Sequence, residues 1–124
     1  MTLTSGCTIT VCRGCCCGTT AAQPDVDHAA HLAALQGIEG ARVRISQCLL
    51  ACELSNMVVV NPSPTGRQGG GRPAWLGGVL TDDEIAVITG WVEAGGPGVA
   101  PLPSSLETNL EAVKELQARL AAEA

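Results

Sequence analysis

Cysteine placement constrains this chain more than any other feature. Seven of its 124 residues are cysteine, and five of them fall between Cys7 and Cys17. An odd number of thiols cannot pair completely within one chain, and no positively charged N-terminal region followed by an apolar run indicates export. We therefore expect a cytoplasmic, reducing location, where crowded cysteines indicate metal binding or redox chemistry rather than a disulfide framework.

Composition excludes several classes of protein. Hydrophobic residues make up 46% of the chain, which is too many for a disordered protein. The net charge is −5 and aromatic residues make up 2%, a combination that argues against nucleic-acid binding. No run approaches the roughly 20 apolar residues that a membrane span needs. We therefore expect a small domain that binds neither nucleic acid nor membrane.

The hydrophobic pattern predicts a small α/β fold. Apolar runs predict four strands, at Thr8–Cys12, Arg42–Ser46, Met57–Val60 and Ala74–Val79. Helical patterns follow Pro24, Thr81 and Ser104. The first strand, helix and second strand form a βαβ unit with parallel strands, and the last two strands should be antiparallel. This order resembles a thioredoxin-like sandwich, a mixed four-stranded sheet flanked by two helices, plus an extra C-terminal helix.

Capping residues mark where the later helices begin. Thr81 and Glu84 form a capping box, and Ser104 and Glu107 form a second one. The helix after Ser104 carries one apolar stripe: Leu106, Leu110, Val113 and Leu120. It packs on its own domain or serves as a docking or dimerisation helix. The expected organisation is a domain over residues 1–103 and an amphipathic helix over residues 104–124.

Four cysteines follow the first two strands as pairs. Cys12 and Cys17 follow the first strand, and Cys48 and Cys52 follow the second. Because the carboxyl ends of parallel strands meet at one edge of a sheet, the pairs should converge there. Four converging thiolates indicate a metal or cluster site. Spacing leaves the metal open, since Cys15 fits in place of Cys17.

The residues around these pairs resemble a known family. The segments VCRGCCCG, CLLAC, MVVVNP and WLGGVLTDDEIAVITGWVEAGGPG are similar to the thioredoxin-like [2Fe–2S] ferredoxins, a family related to the small iron–sulfur subunits of NADH dehydrogenases and hydrogenases. The resemblance covers roughly Thr8 to Gly98. The pair Cys48 and Cys52 before a valine-rich strand is its most specific part. Cys15 and Cys16 depart from the family pattern, and either is a substitute for Cys17.

The resemblance implies a cofactor and an activity. It implies a [2Fe–2S] cluster held by Cys12 and Cys17 on one iron and by Cys48 and Cys52 on the other. It also implies a one-electron carrier, not an enzyme, that passes electrons to a partner redox protein. The acidic net charge favours a basic docking face on that partner. Family members are often homodimers, so the resemblance implies a homodimer too.

Two alternatives keep the same cysteines but change their chemistry. Cys12 and Cys15 form a C-x-x-C between a strand and a helix, where a thioredoxin keeps its catalytic dithiol. Thioredoxins also place a proline before the third strand, however, and Ser55-Asn56-Met57 has none. The other alternative is a zinc- or copper-binding or cluster-sensing module without electron flow.

Other residues with chemical potential have simpler interpretations. His28 and His31 lie three apart on one helix face and are interpreted as an ordinary polar face rather than metal ligands. The stretch Gly66–Arg72 lacks the ending of a phosphate loop and is expected to be a mobile hairpin loop whose arginines touch a partner. Asp82, Asp83 and Glu84 fit helix-capping positions, and Cys7 is expected to be an ordinary buried residue.

Overall fold

A mixed four-stranded sheet forms the centre of the protein. The computed structural model describes residues 6–12, 26–38, 40–46 and 56–123. The strands are β1 (Thr8–Cys12), β2 (Arg42–Ser46), β3 (Val58–Asn61) and β4 (Ala74–Leu76). Their order in the sheet is β2-β1-β3-β4, with β1 parallel to β2 and the other neighbours antiparallel. The predicted α/β class and mixed four-stranded sheet are confirmed.

The helices of the described chain are α1 (His28–Gln36), α2 (Pro64–Gln68), α3 (Asp82–Glu93) and α4 (Glu107–Glu123). Asp27 caps α1 by accepting from the Ala30 amide at 3.0 Å. The predicted capping box of α3 is also present, because Thr81 Oγ1 accepts from the Glu84 amide at 3.1 Å.

The main core lies between one face of the sheet and the helices α1 and α3. Alternate residues of β1, β3 and β4 point into it, because successive side chains of a strand face opposite sides. Its most deeply buried members are Ile9, Val11, Val60, Leu76, Ile88 and Val92. The edge strand β2 contributes less, and Ile45 remains 59% exposed.

Helix α4 bridges the main core and a second apolar cluster on the other face of the sheet. Leu110 packs against the main core, next to Leu106 from the turn that precedes α4, whereas Val113 and Leu116 pack with Cys12 in the second cluster. The predicted capping box at Ser104 is wrong. Ser104 instead begins a 3-10 turn, Ser104–Leu106, that has no side-chain cap bond and leads directly into α4.

A short helix, α2, occupies residues 64–68, so the first part of the loop expected before β4 is helical, whereas residues 69–72 are turn and irregular chain. Ser63 caps α2 by accepting from the Gly66 amide at 3.0 Å, and Pro64 occupies its first turn. Gly66 packs directly on the backbone of Pro97, where a Cβ would collide with the carbonyl oxygen. Gly69 and Gly71 also approach backbone carbonyl oxygens closely, so these three glycines serve close backbone packing.

Candidate metal centre

Cys12 is the predicted ligand that the described residues include. It is the last residue of β1, and its side chain is 3% exposed. It packs with Met57, Val113 and Leu116, and Trp75 lies against the same cluster. The thiol is thus held by a regular strand inside an apolar surrounding that limits contact with water.

The other predicted ligands, Cys17, Cys48 and Cys52, lie outside the described residues. The same holds for the substitutes Cys15 and Cys16. The assignment of four ligands therefore stays a prediction. Among the residues that the structure describes, no three His, Cys, Asp or Glu side chains form a group that would hold a metal ion.

The described structure does fix where the two cysteine-bearing stretches leave the sheet. The first stretch, residues 13–25, follows Cys12, and the second, residues 47–55, follows Ser46. Cys12 and Ser46 are direct cross-strand partners at the carboxyl ends of parallel strands. Neighbouring strands lie about 4.8 Å apart, so the two stretches depart side by side.

The described residues that follow the two stretches lie at the same edge of the sheet. Asn56 follows the second stretch, and its side-chain amide donates to Nδ1 of His28 at 2.9 Å, close to where the first stretch returns. The next residue, Met57, accepts from the Cys12 amide at 3.1 Å. The residues that precede and follow the two stretches are therefore linked to one another by hydrogen bonds and strand pairing.

The histidines of α1 point into the protein, so the interpretation of an ordinary polar helix face is wrong. His28 is 9% exposed and His31 is 5% exposed. With Leu32 and Leu35 they form one buried or half-buried stripe at positions i, i+3, i+4 and i+7. That spacing was visible in the sequence and is the signal for their burial.

The two histidines have different partners. His28 Nδ1 accepts from the Asn56 side-chain amide at 2.9 Å. His31 Nε2 donates to Asp82 Oδ1 at 2.9 Å, an exposed carboxylate in the first turn of α3. His28 thus connects α1 to the residue before Met57 and β3, and His31 connects α1 to α3. Asn56, which is 2% exposed, is the positioning residue that sequence reasoning missed.

Cys7 lies away from this edge, at the start of β1. It is 1% exposed, belongs to the main core, and its Sγ donates to the carbonyl of Gly95 at 3.3 Å. The expectation of an ordinary buried cysteine is confirmed. Because it is buried at the opposite end of the same strand, Cys7 is a natural control for Cys12.

Helix α4 is fastened over Cys12 by a polar contact at its first turns. Asn109 Nδ2 donates to Glu84 Oε2 at 2.6 Å and to the carbonyl of Gly77 at 2.9 Å. Burial raises the pKa of Glu84, but the hydrogen bonds from Asn109, Leu80 and Thr81 outweigh it, so the pKa lies below its ordinary value. The carboxylate is thus kept ionised as the acceptor that holds α4.

Among the described residues, no helix combines the length and apolar character needed to cross a membrane. Comparison with known proteins found no match among protein-family models, curated proteins or solved structures.

Proposed function

We propose that this chain is a one-electron carrier that holds a [2Fe–2S] cluster on Cys12, Cys17, Cys48 and Cys52. The observation that carries the proposal is that the described residues flanking both cysteine-bearing stretches lie together at one edge of the sheet. Cys12 pairs with Ser46 across β1 and β2, and Asn56 joins His28 at the return points. These contacts support the proposal that the two cysteine pairs meet at this edge.

The chain lengths involved support this convergence. Cys48 is two residues beyond Ser46, and Cys17 is five residues beyond Cys12. A chain spans at most about 3.5 Å per residue, so Cys48 can lie at most about 7 Å from Ser46 and Cys17 at most about 18 Å from Cys12, which allows the pairs to meet at this edge. Four thiolates in one place repel each other unless a cation neutralises them.

The surroundings of Cys12 suit an electron carrier better than a dithiol enzyme. A catalytic thiol must be accessible to attack its substrate, whereas Cys12 is 3% exposed and covered by α4. When bound, the cluster supplies the reversible gain of one electron. The residues around Cys12 contribute exclusion of water, which helps to set the reduction potential.

The outer side of α4 supports the proposed charge of the partner. Glu107, Glu111 and Glu115 are exposed and four residues apart, so they follow one side of the helix. The same helix packs Val113 and Leu116 against Cys12. We infer that a redox partner with a basic face docks on this side, close to the electron's exit from the protein.

The test is the visible absorption spectrum of the full chain purified without oxygen. The proposal predicts a brown protein whose visible absorption bleaches on addition of dithionite. A colourless protein that carries one zinc per chain would contradict it, and would favour the metal-binding module instead.

Matched cysteine variants locate the site. Cys12→Ala should abolish the brown colour, because Cys12 lies at the edge of the sheet where the two cysteine-bearing stretches begin. Cys7→Ala should keep the colour, because it removes an equally buried thiol next to the other end of β1. Circular dichroism of both variants checks that the fold persists. Full colour in folded Cys12→Ala would remove that residue from the ligand set.

A further inference from the structure

The face of the sheet opposite the main core carries an open, polar groove beside α4. Its volume is about 400 Å³, and it is lined by side chains from all four strands and from α2. The lining residues are Thr8, Thr10, Arg42, Arg44, Val59, Asn61, Arg67 and Trp75. The groove lies outside the cysteine edge, and the inference drawn from it does not depend on the electron-carrier proposal.

Strand register arranges these side chains as two rows across the sheet. In the first row Arg42 on β2 pairs with Thr8 on β1, which pairs with Asn61 on β3. In the second row Arg44 stands opposite Thr10, and the row continues to Val59 and Trp75. Adjacent rows are about 7 Å apart along the strands, so both arginines of β2 reach the same small area.

The groove is strongly cationic within an acidic protein. It holds three of the seven Lys and Arg residues, although the net charge of the chain is −5. Arg42, Arg44 and Arg67 are all exposed, and within the described part of the chain no carboxylate pairs with any of them. An exposed guanidinium presents a planar fork of N–H donors that matches the oxygens of a phosphate.

A side chain on the floor of the groove can also donate a hydrogen bond to a ligand. The Asn61 side-chain amide donates to Thr10 Oγ1 at 3.3 Å and to the Thr8 carbonyl at 3.1 Å. Because Thr10 Oγ1 accepts that bond, its own hydrogen is free to point into the groove. Guanidinium and hydroxyl donors share one hollow, and none of the described residues that line it is a carboxylate. Such a hollow selects a ligand that brings several negatively charged acceptors.

We propose that this groove binds a small organic oligophosphate, with its phosphates on Arg42, Arg44 and Arg67. The volume falls in the range of about 300–1,000 Å³ that is usual for small-molecule sites. A second hollow of about 340 Å³ continues from it and shares Thr8, Arg42 and Arg67. Two joined hollows with common arginines fit a chain of phosphates better than one isolated anion.

An acidic protein segment fits this groove less well. Exposed Glu111 and Glu115 lie on α4, the helix that packs with Trp75 at the groove's border. A large acidic partner would extend beyond the arginines and meet the net negative charge of the chain. A compact oligophosphate instead keeps its charge among the arginines.

The test is isothermal titration calorimetry of the full chain with tripolyphosphate, with ATP and with a hexaglutamate peptide at 0.15 M ionic strength. We expect both phosphate probes to bind and hexaglutamate to bind more weakly. Arg42→Gln, Arg44→Gln and Arg67→Gln should each weaken the binding of tripolyphosphate by roughly 10-fold, the scale of a lost charge-assisted hydrogen bond.

Arg72→Gln is the matched control, because Arg72 is an exposed arginine near α2 that does not line the groove. It should change the affinity by less than about 2-fold. If ATP quenches the tryptophan fluorescence of the unaltered protein but not that of Trp75→Phe, the ligand lies beside Trp75. Absence of binding by both phosphates, equal weakening in Arg72→Gln, or tighter binding of hexaglutamate would each overturn the proposal.

Discussion

Replacing Asn109 with alanine removes the polar contact that fastens α4 to the rest of the protein. The Asn109 side chain donates to Glu84 Oε2 at 2.6 Å and to the carbonyl of Gly77 at 2.9 Å. Its backbone carbonyl also accepts from the Gly77 amide at 3.2 Å, a bond that the substitution leaves in place. Asn109 is 8% exposed, so water does not readily replace the lost bonds.

The size of the effect follows from those contacts. A buried hydrogen bond to a charged group contributes about 1.5–3 kcal/mol, and the unpaired Gly77 carbonyl adds to the cost. We therefore expect Asn109→Ala to lower the free energy of unfolding by about 2–3 kcal/mol. For a domain of this length that corresponds to a fall in Tm of roughly 8–12 °C.

Thermal unfolding by circular dichroism measures the fall in Tm, and hydrogen exchange measures the protection of α4. Gln117→Ala is the control, because Gln117 is exposed on the same helix and should change stability by less than about 0.5 kcal/mol. Equal Tm values for the two variants, with α4 still protected in Asn109→Ala, would refute the role given to this contact.

Three further predictions concern Glu84, the glycines and Asn56. Folding lowers the pKa of Glu84, so the ionised carboxylate contributes its full stabilisation above the ordinary pKa of 4.5. That contribution is lost as pH falls through the lower pKa of the folded protein. When the free energy of unfolding is measured against pH, Glu84→Gln should therefore lose less stability in acid than the unaltered protein does. Gly66→Ala should destabilise the protein through a collision with Pro97, whereas Gly90→Ala, with open space in α3, should stabilise it by about 0.5–1 kcal/mol in urea unfolding. Asn56→Ala should speed the bleaching of the brown protein by a chelator without changing its spectrum. The reason is that the substitution removes the bond to His28 that joins the residues after the two cysteine-bearing stretches. An unchanged rate of bleaching would contradict that role.

The sequence predicted elements whose signals are local. Strand β3 reads as a continuous apolar run, and Val58, Val59 and Val60 are all at most 4% exposed. The capping box at Thr81 and Glu84 fixes the start of α3 through bonds within four residues. Such signals need no knowledge of the tertiary fold, so these elements and the parallel βαβ unit were predictable.

The elements that escaped prediction depend on distant contacts. Helix α2 is five residues long and contains a glycine, so its stability rests on packing against Pro97, more than 25 residues away in the chain. The burial of His28 depends on Asn56, which is brought near by β3. The pattern around Ser63 and Pro64 was nevertheless a usable start signal for α2.

Within the candidate site, the place of Cys12 at the end of β1 beside β2 was predictable, but its supporting contacts were not. The carboxyl ends of parallel strands bring Cys12 beside Ser46, as the topology required. Sequence spacing alone did not show that α4 covers Cys12, because that contact depends on how Asn109 docks the helix. The arginine groove likewise needs α2 to bring Arg67 beside the arginines of β2.

Electron paramagnetic resonance of the dithionite-reduced full chain, with the spin counted against iron and acid-labile sulfide, tests the proposed electron carrier most directly. A [2Fe–2S] carrier predicts two irons and two sulfides per chain and one unpaired spin in a rhombic signal after reduction. A silent spectrum from a chain that contains zinc and no sulfide would contradict it.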